Sequence, residues 1–185
     1  DTYGDAGHVI DEDLNLGIAV DSEPGSQNSP DAQGDDNNGD DEDGVTFLTT
    51  SGNCFGAPGS MQTLEINVEN NTLGDAYLSA WIDFNGNGQF DTNETILSNE
   101  VVSPIPGLQT IAYTYTVPSN AVPGATYARF RLSPNPILDP SGIDVAGGEV
   151  EDYACTIGDI EYDYGDTPAS YGSFGIAVNT GTPSW

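Results

Sequence analysis

The chain carries 30 Asp and Glu against two cations, Arg129 and Arg131, and has no lysine. That imbalance restricts the fold more than any motif does. A compact body with formal net charge −28 repels itself unless its carboxylates stand apart in solvent or cations bind among them. Strong charge of one sign is also a mark of disorder. Here, though, 36% of the 185 residues are hydrophobic and nine are tyrosines, enough to bury one core. The acids therefore belong in blocks between folded segments. The same charge argues against nucleic acid as a partner, because nothing in the chain neutralises phosphates. No apolar run reaches the roughly 18 residues that a membrane span requires, so no membrane insertion is expected.

The folded segments read as strands. Residues 45–50, 62–69, 76–84, 95–102, 109–117, 126–133 and 149–157 alternate or are rich in β-formers, with turn residues between them. Pro104, Pro106, Pro118, Pro123, Pro134 and Pro136 fall at strand ends or in loops, where a missing N–H costs no ladder bond. No amphipathic helix stands out. Seven strands spaced by about a dozen residues predict an all-β fold, an antiparallel β-sandwich of immunoglobulin-like or jelly-roll-like type with long acidic calcium-binding loops. Before it, residues 1–43 are mostly loop, with one period-two patch (Leu14, Leu16, Ile18, Val20) that suggests a short strand packing on the sandwich. After it, residues 159–185 add a further strand-like run. The expected organisation is thus 1–43, 44–158 and 159–185. The absence of an initiator Met and a signal segment suggests a mature or excised chain.

Two cysteines, Cys54 and Cys155, stand 101 positions apart. With one histidine and no C-x-x-C they do not suit zinc. As a disulfide in an oxidising compartment they would contribute roughly 4–5 kcal/mol by closing so long a loop.

The most specific chemical signal is DFNGNGQFDTNE, residues 83–94, which satisfies the D-x-[DN]-x-[DN]-G-x5-E pattern of a calcium loop. Asp83, Asn85 and Asn87 would offer side-chain oxygens and Gln89 its backbone carbonyl. Asp91 would contact the ion directly or through water, and Glu94 would bind it with both oxygens. Gly88 allows the sharp turn. Because AYLSAWI before the loop reads as a strand, the loop would join two strands rather than two helices. Its charge count places the affinity for Ca2+ on the order of 10⁻⁴–10⁻³ M. A second, less specific candidate is GDDNNGDDEDG, residues 34–44, where Asp35, Asp36, Asp40, Asp41 and Asp43 would serve. A solvated acidic run would look the same.

On TYARFRLS, residues 126–133, Tyr127, Arg129 and Arg131 share one face and Ala128, Phe130 and Leu132 the other. The two arginines are expected to form structural salt bridges with Glu149 and Glu151 of a neighbouring strand.

These stretches together resemble the GEVED domain family of bacterial secreted and cell-surface proteins. The resemblance rests on GGEVEDYACTI (147–157), YARFRLS upstream of it, WIDFNGNGQFD (81–91) and DDEDGVTF (40–47). It implies an extracellular β-rich module of adhesin-like proteins and no catalytic activity. One departure concerns order. The segment DYGDTPASYG, commonly a leader before the acidic block, here follows the GEVED strand. Residues 163–185 also echo the YGD and GIAV words of the N-terminus. Set end to end, two copies restore the usual order.

The expectation is therefore a structural subunit or repeat of a calcium-stabilised filament or surface stalk, in a head-to-tail homopolymer or tandem array of copies of itself. Its C-terminal strand, with Tyr171, Phe174, Ile176, Val178 and Trp185, would make the subunit contact by strand addition. A tail folding back on its own sandwich is the plainer reading. The alternative function is an adhesin module recognising carbohydrate or protein through exposed aromatics such as Tyr113, Tyr115 and Trp185, although tyrosines so placed are more often sheet packing. An enzyme is not expected: His8 is alone in a loop, and no nucleophile elbow or zinc cluster is present.

Overall fold

The computed structural model describes residues 3–18, 20, 22, 25, 29–32, 42–49, 54–137, 139–164 and 175–178. All seven expected strands form. They are β3 (Val45–Phe47), β4 (Met61–Asn70), β5 (Ala76–Ile82), β6 (Thr95–Val102), β7 (Leu108–Thr116), β8 (Gly124–Ser133) and β10 (Glu149–Ile157). Five more are described: β1 (Ala6–Val9), β2 (Leu14–Leu16), β9 (Gly142–Ala146), β11 (Glu161–Tyr164) and β12 (Gly175–Val178). The one helical element among the described residues is a 3-10 turn at Thr92–Glu94.

Two four-stranded antiparallel sheets face each other. One runs β10-β8-β5-β6. In the other, β4 is central: β7 pairs along its length on one side, while β3 and β2 pair with successive parts of it on the other. The period of two decides which side chains meet. Leu64, Ile66 and Val68 of β4, Leu78, Ala80 and Ile82 of β5, and Ala128, Phe130 and Leu132 of β8 are all fully buried. Phe47, Phe55 and Tyr153 close the core at one end, Phe47 standing edge-on to both. Burying a side chain of this size contributes about 1.5–3 kcal/mol. The Cys54–Cys155 disulfide forms, with Cα atoms 5.9 Å apart, and ties the segment before β4 to β10.

The N-terminal strand is shorter than its apolar pattern suggested. Leu14–Leu16 are wholly buried, but Ile18 is 73% exposed. Gly17 ends the strand by turning to φ +61°, and a Cβ there would collide with the Asp43 carboxylate.

The outer face of the β10-β8-β5-β6 sheet is covered as well. Ser79, Trp81, Arg131 and Ser133 have at most 2% exposure. Their cover includes a two-stranded parallel ladder of β1 and β9, with β1 lying against β10. Further along the chain, β11 and β12 pair with each other, antiparallel, and among the described residues with neither sheet.

Candidate metal loop and the motif carboxylates

The 83–94 segment joins β5 to β6, strand to strand as expected. Asp83 follows the last residue of β5 and is fully buried. Its Oδ1 accepts the amides of Gly86 and Asn87 at 2.7 and 3.3 Å; its Oδ2 accepts Gly88 N at 2.9 Å. The loop can wrap this tightly because Gly86 and Gly88 take φ +69° and +82°, conformations that cost a residue with Cβ. Glu94, 1% exposed, braces the two ends. Its Oε1 accepts Asn85 N at 3.0 Å and its Oε2 accepts Asp91 N at 2.9 Å. Burial raises the Glu94 carboxyl above its ordinary range, and the Asp83 and Asp91 charges add to that. The two amide bonds oppose the shift without cancelling it.

The remaining donors converge on Asp91. The side-chain amides of Asn85 and Asn87 each donate to Asp91 Oδ2 at 3.0 Å. A half-turn of either amide puts an oxygen where the nitrogen now stands. Gln89 donates its backbone N–H to Asn87 Oδ1 at 2.8 Å. The donor set is thus all oxygen, of the hard type that Ca2+ takes, around carboxylates that repel one another. Among the described residues, however, no three His, Cys, Asp or Glu side chains stand grouped as metal ligands. The loop fits calcium in ligand type and spacing, and its carboxylates would have to draw in to share one ion.

Tyr3, unremarked in the sequence, reaches this loop from the N-terminus. Its hydroxyl donates to Asp83 Oδ2 at 2.8 Å, and its ring packs on Phe90 and Tyr127 at 4.8 and 5.2 Å between centroids. Only the YGD word shared with the C-terminal segment marked it out.

Of the acidic block, Asp35, Asp36, Asp40 and Asp41 lie outside the described residues. Asp43 lies inside, and its Oδ1 accepts Ile18 N at 3.0 Å.

The expected pairing of Arg129 and Arg131 with Glu149 and Glu151 is overturned. In the β8–β10 register Glu149 stands opposite Leu132 and Glu151 opposite Phe130, on the core side; Val150 and Asp152 stand opposite the arginines. Arg129 makes a two-pronged pair with Asp152, at 2.7 and 2.6 Å. Its Nη1 donates to the carbonyls of Gly4 and Pro140. Arg131, fully buried, donates to the carbonyls of Asp139, Ser141 and Gly142 and through Nε to His8 Nε2 at 3.1 Å. Burial, with Arg129 nearby, lowers its pKa to about 10.

The two glutamates instead hold backbone. Glu149 Oε2 accepts Leu16 N at 2.6 Å, fixing β2. Glu151 Oε1 accepts Gly44 N at 2.9 Å, and its Oε2 accepts the Tyr153 hydroxyl, which itself accepts Val45 N. Gly44 leaves no room for a side chain, since a Cβ would stand 2.7 Å from Glu151 Oε2. Burial and the Glu151 charge hold the Tyr153 hydroxyl well above its usual pKa, as a donor. Charged acceptors of backbone N–H are strong partners. The motif's glutamates therefore staple the N-terminal strands to the sandwich.

Of the aromatics assigned to an adhesive face, Tyr113 and Tyr115 are packing residues. Tyr115 is 6% exposed, and the Tyr113 hydroxyl donates to Ile96 O at 2.7 Å. Of the proposed subunit-contact residues, Ile176 and Val178 lie in β12, opposite Asp163 and Glu161. Tyr171, Phe174 and Trp185 lie outside the described residues.

No curated protein matches the sequence. The family model of the GEVED domain matches residues 77–156. That span runs from β5 through the loop and the arginine strand to the two stapling glutamates. Over residues 77–156, from β5 to β10, the chain is similar to the GEVED domain.

Proposed function

We propose that the chain is a non-catalytic structural module of an extracellular array. Calcium in the 83–94 loop and the Cys54–Cys155 bond would stiffen it, and residues 159–185 would join it head to tail to a further copy or repeat. The observation that carries this reading is that β11 and β12, among the described residues, pair only with each other and with neither sheet of the sandwich. A two-stranded ladder alone is marginal in water, so it gains by adding to another edge. A suitable edge is β7, nine residues long and paired, among the described residues, with β4 alone. Strand addition there would use main-chain hydrogen bonds for affinity. Because donor and acceptor surfaces differ, such contacts are head-to-tail, and where their rotation does not close a ring they would grow a filament. The disulfide supports an oxidising location outside the cytosol.

The test compares the full chain with one ending at residue 158, in calcium, by sedimentation and electron microscopy. Filaments from the full chain and monomers from the shortened one are expected. Equal behaviour of the two overturns the reading.

A further inference from the structure

An open cleft of about 560 Å³ lies between the 83–94 loop, the N-terminal segment and the turn before β9. The sequence offered no hint of it, since its walls come from three separate parts of the chain. Its apolar floor is the ring pair Tyr3 and Phe90, held at 4.8 Å. Around that floor stand Gln89, Thr92, Asp139 and Ser141. Among the described residues the Gln89 side-chain amide and the Thr92 hydroxyl make no hydrogen bond to protein, and both residues are exposed. Asp139 is held as a carboxylate, its pKa lowered by the amide and hydroxyl of Ser141, which both donate to Oδ1. Its Oδ2 accepts no hydrogen bond among the described residues, and Asp139 lines the cleft.

We propose that this cleft binds a neutral saccharide, the apolar face of one sugar ring lying on Tyr3 and Phe90 while its hydroxyls bond Asp139, Gln89 and Thr92. The volume lies within the range of small-molecule sites, and the lining, more polar than apolar around the two rings, suits a ligand rich in hydroxyls. The charges select among ligands. An anion meets the Asp139 carboxylate and finds no free cation. The Arg129 nitrogens are committed to Asp152, Gly4 and Pro140, and the chain's charge of −28 repels it at distance. A cation is disfavoured on the ring floor, because the Arg129 guanidinium already lies 5.5 Å from the Phe90 centroid. An uncharged molecule that offers hydroxyl donors and one apolar face satisfies both walls. The site is pre-formed, since the Tyr3 hydroxyl is fixed by Asp83 and Asp139 by Ser141. It requires neither the C-terminal segment nor a second copy.

The experiment is ligand-observed NMR and calorimetric titration of the full chain in calcium buffer. The probes are neutral disaccharides of glucose, galactose, mannose and N-acetylglucosamine, with sialyllactose and a lysine-rich peptide as charged controls. At least one neutral disaccharide is expected to bind below about 10 mM, with Gln89→Ala and Asp139→Asn each weakening it about tenfold. Both variants should melt with the parent, because neither side chain holds the core. Failure of every neutral probe, equal affinity in the variants, or preference for sialyllactose or the peptide overturns the assignment.

Discussion

His8 is the chain's one histidine, and its surroundings allow one protonation state. Its Nδ1 lies 2.8 Å from the Gly147 carbonyl and must donate; its Nε2 lies 3.1 Å from Arg131 Nε and must accept. Protonation at Nε2 would set two N–H donors, both cationic, against each other. Burial, with Arg131 nearby and only partly offset by the Gly147 carbonyl, lowers the His8 pKa from 6.5 to about 4. The folded chain therefore resists a proton that the unfolded chain accepts. Stability should be complete above about pH 6.5, fall as pH drops toward 4, and level off below that. The gap corresponds to about 3 kcal/mol at 1.36 kcal/mol per pKa unit, or roughly 6–12 °C in melting temperature for a chain of this size. Carboxylates also titrate at the acid end, so the measurement is a difference. Urea unfolding of the parent and of His8→Gln is followed from pH 7.5 to 4. The variant carries a constant cost but no titration, and the two stability curves should converge by about 3 kcal/mol across the window. The single imidazole resonance gives an independent reading, with a midpoint well below 6. A midpoint at or above 6, or curves that stay parallel, refutes the coupling between His8 and Arg131.

Other outcomes follow from the loop and the staples. Millimolar calcium should raise the melting temperature and chelation should lower it; Glu94→Gln should weaken calcium binding at least tenfold in a calorimetric titration. Glu151→Ala strips an acceptor from Gly44 N and from the Tyr153 hydroxyl, both in a buried setting, and should cost about 2–4 kcal/mol by urea unfolding. Glu151→Gln retains one acceptor and should cost less. Tyr3→Phe removes the bond to Asp83 Oδ2, costing about 1 kcal/mol. Hydrogen exchange of the Gly4–Val9 amides should quicken in that variant while β4 amides stay unchanged.

Much of the sandwich was legible because period two leaves a direct record. Leu64, Ile66 and Val68, or Ala128, Phe130 and Leu132, name their own face. The strand–loop–strand setting of the 83–94 motif was equally plain, since Asp83 directly follows an apolar strand and the glycines fix the wrap. Strand pairing was not written so locally. Whether Glu151 or Asp152 meets Arg129 depends on the parity of the β8–β10 register, and a slip of one residue reverses every face. No short-range feature of GEVED fixes that parity. The β1–β9 ladder was hidden for a related reason. Parallel strands so far apart in sequence need no turn signal, and a four-residue strand such as Ala6–Val9 carries little alternation. Tyr113 and Tyr115 stayed ambiguous in the sequence, with packing the commoner reading, because an aromatic suits a solvent platform and a sheet interior alike.

The placement of β10 bears on the order in which the fold can be completed. Four ties reach it from distant parts of the chain: Cys54 to Cys155, Leu16 to Glu149, Gly44 to Glu151 and Arg129 to Asp152. Three of them span more than 100 residues. During synthesis, β2 and β3 are made first yet find their acceptors only when residues 149–157 emerge. Closure of such long loops is slow, so the sandwich stays open until β10 is made. Its dense negative charge then discourages nascent chains from associating while they wait.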